Sequence, residues 1–263
     1  MTLQQFDQVK HPTVDIWSAA NGVYAIRQKK MVHFEAPFLF LIVGRDIAIL
    51  QDTGAVATSN QCPLPSIVSE LIRYERAGDR RLVVIHSHSH EDHTTGDEMF
   101  ADNDGQIDVV PPSLGELERF FGVTPDDEGI LRVDLGERPL LFFSIPGHDT
   151  TSTALYDSES RLLFTNDTFY PGRLYVENWE EYRRTAERLL NFSRRHPIDS
   201  ILGTHVEMSR RGFDEYPEGT MLQPNELPLP LTICDLEGLS HVCRRFISVK
   251  EKIVCRKFVI TPT

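Results

Sequence analysis

Four histidines and two acids fall within eight consecutive positions, His86-Ser87-His88-Ser89-His90-Glu91-Asp92-His93, directly after the apolar run Leu82-Val83-Val84-Ile85. The chain has only ten histidines, so this crowding narrows what it can fold into. An apolar run rich in β-branched residues reads as a buried strand, and the polar knot therefore sits at a strand end. Side chains two apart on an extended backbone point the same way. His88 and His90 can thus grip one ion, while Asp92 and His93, past the bend, face a second. Imidazoles and a carboxylate suit zinc and its first-row neighbours. His86 shares the parity of His88, but its place at the strand end suits a supporting role behind the ligands.

One such cluster supplies too few ligands for two ions, so more are expected at later strand ends. His148 follows the run Leu140–Ile145, Asp167 follows Arg161–Asn166, and His205 follows Ile198–Gly203. Around them the chain reads as two similar halves, about 1–138 and 139–263, in a single domain. In the first half, strands are expected over 14–17, 22–28, 37–44 and 46–52, a helix over about 64–76, a strand into the cluster, and a helix over 112–121. The second half has strands over 130–134, 139–145, 153–157 and 161–166, a helix over 179–195, and a strand over 198–203. Residues 212–231 are rich in Pro and Gly and read as a long loop, a kind of segment that often carries function. The stretch 244–260 reads as a strand pair or as a strand and a helix. Repeated β/α halves with no flexible linker predict two sheets packed face to face, an α/β fold.

Composition removes several function classes. No run approaches the roughly 18 apolar residues that a membrane span needs, so no membrane partner is expected. The first fifteen residues lack a signal-peptide layout, which predicts a cytoplasmic location. A net charge of −12 opposes attraction to phosphate backbones, and no nucleic-acid partner is expected. The four cysteines, Cys62, Cys234, Cys243 and Cys255, match no paired metal or redox spacing and read as reduced, mostly buried thiols.

Asp52-Thr53-Gly54, the His88–His93 motif (H-x-H-x-D-H), Gly147-His148, Asp167 and Gly203-Thr204-His205 occur in that order along nearly the whole chain. In this the sequence resembles the metallo-β-lactamase superfamily. The resemblance implies a four-layer αββα sandwich with metals at one edge. It implies one ion on His88, His90 and His148, another on Asp92, His93 and His205, and Asp167 bridging both together with a hydroxide. An aspartate at 167 disfavours the branch with a cysteine ligand, and His90 disfavours the flavodiiron branch. The set is similar to that of glyoxalase II, lactonases and zinc phosphodiesterases. One turn departs from the pattern, His93-Thr94-Thr95-Gly96, where a second glycine is usual.

Two cations activate hydroxide and polarise a carbonyl or phosphoryl group without any protein nucleophile. The expected protein is a hydrolase with two zinc ions per chain (Fe or Mn also fits). Its expected substrate is a small lactone, thioester, ester or amide, with Asp92 as ligand and proton shuttle. The competing readings are a phosphodiesterase or nuclease, and a mononuclear iron dioxygenase of the persulfide type. Tyr170, Arg173 and Tyr175 follow Asp167 and are candidates for substrate contact. The turn 29–38 offers Met31, His33 and Phe34. His241 is expected to be uninvolved. The oligomeric state is left open, a homodimer among the options.

Overall fold

A computed structural model describes residues 3–75, 81–101 and 105–263. The first half makes β1 (Gln4–Gln5), β2 (Val14–Ala20), β3 (Val23–Gln28), β4 (Phe38–Val43), β5 (Ile47–Gln51), α1 (Leu64–Glu75), β6 (Arg81–Ile85), the short α2 (Glu91–Thr94), β7 (Ile107–Val109) and α3 (Leu114–Phe121). β1 to β7 lie side by side in chain order in one sheet. It is antiparallel as far as β5, where α1 crosses over and β6 and β7 continue in parallel. The expected last residue of α1, Arg76, lies outside the described residues.

The second half makes β8 (Leu131–Asp134), β9 (Pro139–Ser144), β10 (Thr153–Asp157), β11 (Leu162–Asn166), β12 (Arg173–Val176), α4 (Trp179–Ser193), β13 (Ser200–Gly203), α5 (Ile233–Arg245), β14 (Ile253–Val254) and β15 (Val259–Pro262). A five-stranded sheet runs in the order β13-β11-β10-β9-β8, and a small third sheet runs β12-β15-β14. The strand pair read for the end of the chain is the β14–β15 hairpin. β1, α2 and β7 of the first half went unanticipated, and so did two elements of the second. α5 carries a capping box, Thr232 with Asp235, which is a recognisable start signal. β12 is four residues long and pairs in parallel with β15, more than eighty residues later, so nothing local announces it.

Side-chain alternation on β4 shows why the layers stack as they do. All six of its residues are buried. Phe38, Phe40 and Ile42 face the second sheet, while Leu39, Leu41 and Val43 face the side covered by Ile67, Val68 and Leu71 of α1. A strand buried on both faces needs a cover on each. Phe40 meets Phe164 of β11 edge to face, ring centroids 4.7 Å apart, and burying one such ring contributes about 1.5–3 kcal/mol. Across the second sheet, Phe143, Tyr156 and Leu163 pack against Ala186 and Leu189 of α4 and Leu236 and Leu239 of α5. The result is the four-layer αββα sandwich.

Five loops bear on one edge of this sandwich. Asp52 follows β5, the histidine cluster follows β6, and His148, Asp167 and His205 follow β9, β11 and β13. Residues 206–231 form no helix or strand, and isolated pairings of Met208 with Glu215 and Ser209 with Glu226 tie them down. Among the described residues no helix is long and apolar enough to cross a membrane.

Candidate metal centre

β5 runs into Asp52 at φ 70°, a left-handed value that aspartate tolerates better than most residues. The turn aims its fully buried carboxylate at the cluster. One oxygen accepts the Ser87 backbone N–H at 2.7 Å and the other accepts His93 Nδ1–H at 2.8 Å. The His93 tautomer is thereby set, with Nε2 facing inward. Gly96 is the glycine this packing requires, because a Cβ there would come within 2.4 Å of the Thr53 carbonyl oxygen. His86 stands behind, between the Val110 carbonyl at 2.8 Å and the Asp97 carboxylate at 2.9 Å, and Asp97 also receives the Thr53 hydroxyl.

Three of the other rings have partners at their outer nitrogens in the same manner. His148 Nδ1 donates to the Tyr175 carbonyl at 2.9 Å, and His205 Nδ1 to the Glu35 carbonyl at 3.2 Å. His88 Nδ1 meets the Ser87 hydroxyl at 2.9 Å. The inner nitrogens converge into two groups, His88 with His90 and His148, and Asp92 with His93, Asp167 and His205; within each, the ligand atoms lie within 4.8 Å of one another. Asp167 reaches toward both. Its Oδ1 lies 3.4 Å from His205 Nε2 and 3.6 Å from His93 Nε2, while its Oδ2 lies 3.6 Å from His148 Nε2 and 3.9 Å from His88 Nε2. The Thr204 hydroxyl donates to Oδ1 and fixes the carboxylate between the groups.

This donor set fits metal cations. His148 Nε2 lies 3.2 Å from both His88 Nε2 and His90 Nδ1. Burial lowers the pKa of His88 and His148, so these rings stay neutral and their converging inner nitrogens are suited to bind a cation. In the second group burial pulls the same way, but the carboxylates of Asp92, Asp52 and Asp167 outweigh it and raise the pKa of His93. His205 is pushed up to about 9 as Asp167 and Asp92 overcome its burial. Without metal, protons therefore occupy the second group, and a cation must displace them. His93 Nε2, fully buried, finds no hydrogen-bond partner among the described residues although Asp92 Oδ2 is 3.1 Å away.

Above the groups opens a cleft of about 240 Å³, walled by Glu35, Tyr170, Tyr175, Glu177, Glu207 and Thr263. Tyr170 presents its ring to His205, centroids 5.5 Å apart, while its hydroxyl donates to the Arg173 carbonyl. Tyr175 lines the cleft and its hydroxyl accepts from Arg173 Nη1 at 3.3 Å. Arg173 itself is buried and does not line the cleft. Its guanidinium donates to Glu215 and the Tyr216 carbonyl, each at 2.7 Å, and its backbone N–H to Glu207. Glu215 and Tyr216 lie in the segment read as a loop, so the sequence left the arginine looking available for an anion. His33 lies against Phe34, centroids 4.9 Å apart, and Met31 stands out in solvent; none of the three is a wall residue. His241 is exposed on α5. All four cysteines are free, with Cys62 and Cys243 buried, Cys255 partly buried and Cys234 exposed.

Sequence reasoning assigned no role to Ser87, Thr204 or Glu35, and it quoted Asp52 only as part of a turn. The need of every ligating imidazole for a partner at its outer nitrogen was a usable signal for Asp52. Nothing local marked Glu35.

The sequence profile of the metallo-beta-lactamase superfamily matches residues 35–202. The acyl-coenzyme A thioesterase MBLAC2 of Bos taurus is 27% identical over 228 residues, covering 72% of this chain and 79% of that protein. Its Homo sapiens counterpart is 26% identical over 224 residues with the same coverage. A crystal structure of a metallo beta lactamase from Erythrobacter litoralis, with beta mercaptoethanol in its active site, superposes with a TM-score of 0.61 at 17% identity, covering 91% of this chain and all of that one.

Proposed function

The chain belongs to the metallo-β-lactamase superfamily, and from that premise we propose that it is a metal-dependent hydrolase of small carbonyl substrates, thioesters first among them. The observation that carries this reading is the span of Asp167, whose two oxygens face the two ligand groups from between them. His88, His90 and His148 would hold one divalent cation and Asp92, His93 and His205 a second, with Asp167 common to both. Zinc suits this mixture of imidazole and carboxylate, and Fe or Mn is the next choice. Bound there, such cations supply an acidified water and a positive contact for a carbonyl oxygen.

The chain's own residues orient and move protons. Ser87, Asp52, Tyr175 and Glu35 hold the His88, His93, His148 and His205 imidazoles by their outer nitrogens. Asp92 sits at the cleft floor with Oδ2 3.1 Å from His93 Nε2 and 3.2 Å from His205 Nε2, and we assign it the transfer of a proton to the leaving group. The Tyr170 ring excludes water from one side. A thioester is preferred because the thioesterase relatives align with most of the chain. In addition, no lysine or arginine among the described residues lines the cleft to receive a phosphodiester. Metal-loaded protein assayed on thioester, lactone, β-lactam and phosphodiester substrates tests the reading. Thioester turnover abolished by chelation is expected; turnover of phosphodiesters alone would refute it.

A further inference from the structure

Three glutamates wall the cleft, and they are not equivalent. Glu207 is matched: it accepts the Arg173 backbone N–H at 2.7 Å, and the guanidinium lies 3.4 Å away. Glu35 is half-buried, and among the described residues its carboxylate takes no hydrogen bond and no close ion pair, although the charges of His205 and Lys30 act on it; Glu177 is exposed and its carboxylate is likewise without a hydrogen bond or close ion pair. Lys30, close in sequence to Glu35, gives its ammonium to the Phe34 carbonyl at 3.1 Å and is not a wall residue. Two aromatic rings, Tyr170 and Tyr175, complete the wall, and the Tyr175 ring already has a cation near it, the Arg173 guanidinium carbon 6.0 Å from its centroid.

A partly buried carboxylate without a hydrogen-bond partner is unfavourable, and aromatic faces beside carboxylates recognise ammonium groups. We infer that the substrate carries a positively charged amine or quaternary ammonium close to the scissile carbonyl, seated against Glu35, Glu177 and the two tyrosine rings. This rests on the hydrolase reading above. It also sets the chain apart from an enzyme that grips an anionic substrate group beside the reacting carbonyl, for which the described cleft walls offer no cationic side chain.

Two matched trios test this on metal-loaded protein. One varies the thiol: butyrylthiocholine, its neutral carbon isostere S-(3,3-dimethylbutyl) thiobutyrate, and S-butyryl-3-mercaptopropionate. The other varies the acyl group on N-acetylcysteamine: β-alanyl, butyryl and malonyl. In at least one trio the cation should exceed the neutral analogue in kcat/KM by about tenfold, the size of one ammonium–carboxylate or ammonium–ring contact, with the anion slowest. Glu35→Gln should shrink that ratio. Calorimetry gives a readout apart from turnover: choline should bind, 3,3-dimethylbutan-1-ol should not, and Glu35→Gln should weaken choline. Equal or better turnover of neutral and anionic substrates in both trios would overturn the inference while leaving the hydrolase reading standing. Hydrolysis of none of the six would remove that reading and the inference with it.

Discussion

Replacing Asp52 by asparagine exchanges one carboxylate oxygen for an amide nitrogen, and so turns an acceptor into a donor. The native carboxylate accepts two donors on opposite oxygens, the Ser87 N–H at 2.7 Å and His93 Nδ1–H at 2.8 Å. Asparagine keeps the left-handed backbone that φ 70° demands, but it has only one acceptor oxygen. If that oxygen stays on Ser87, the amide NH₂ confronts His93 Nδ1. The ring must then carry its hydrogen on Nε2, and a ligand is lost from the second group. Loss of such an outer partner typically costs 10–100-fold in metal affinity, or about 1.4–2.7 kcal/mol. Alanine should add about 1–3 kcal/mol of lost folding stability for each buried donor left unmet. Chelator competition would measure affinity, ¹⁵N shifts the His93 tautomer, and urea unfolding the stability. An Asp52→Asn protein that binds metal like the wild type with His93 unchanged, or that loses the ion held by His88 instead, would refute the reasoning.

Four further outcomes are expected. Asp167→Ala should lose one ion and most hydrolysis with the fold intact, since repulsion between the cations rises once the shared carboxylate is gone; elemental analysis and circular dichroism check both halves. Metal binding should release protons and tighten as pH rises toward about 9, because the metal-free His205 holds its proton below that value and competes with the cation; titrations in buffers of different ionisation enthalpy measure the release. Arg138→Met should destabilise by about 3–5 kcal/mol in urea unfolding, because the arginine's 2.6 Å pair with Asp157 is buried and the carboxylate would lose its cation, keeping only the Ser160 hydroxyl and the Glu159 N–H. Arg161→Ala, whose pair with Asp199 is about half exposed, should stay within about 1 kcal/mol by the same assay.

The strands that position the centre were legible because each alternates or runs apolar up to its ligand. The expected 37–44 strand is β4 at Phe38–Val43, and 153–157 is β10 as read. The seven candidate ligands were legible because each follows such a run, and the structure brings their donor atoms together. What the sequence hid is long-range and polar. Arg173 looks free until Glu215 and Tyr216 arrive from some forty residues downstream. Glu35 gains its position through a backbone carbonyl, a contact independent of its own side chain. α4 was expected to reach Arg195 but ends at Ser193, with Arg194 as its cap, as the approach of Pro197 to a helix end would have suggested.

The central claim is that Asp167 stands between two cations. Anomalous diffraction from zinc-loaded crystals, with elemental analysis of the same sample, tests it most directly. Two peaks per chain are expected about 3.5–4 Å apart, one among His88, His90 and His148, the other among Asp92, His93 and His205, with an oxygen of Asp167 on each. A single fully occupied ion on His88, His90 and His148, with His205 turned away and one metal per chain by elemental analysis, would contradict it.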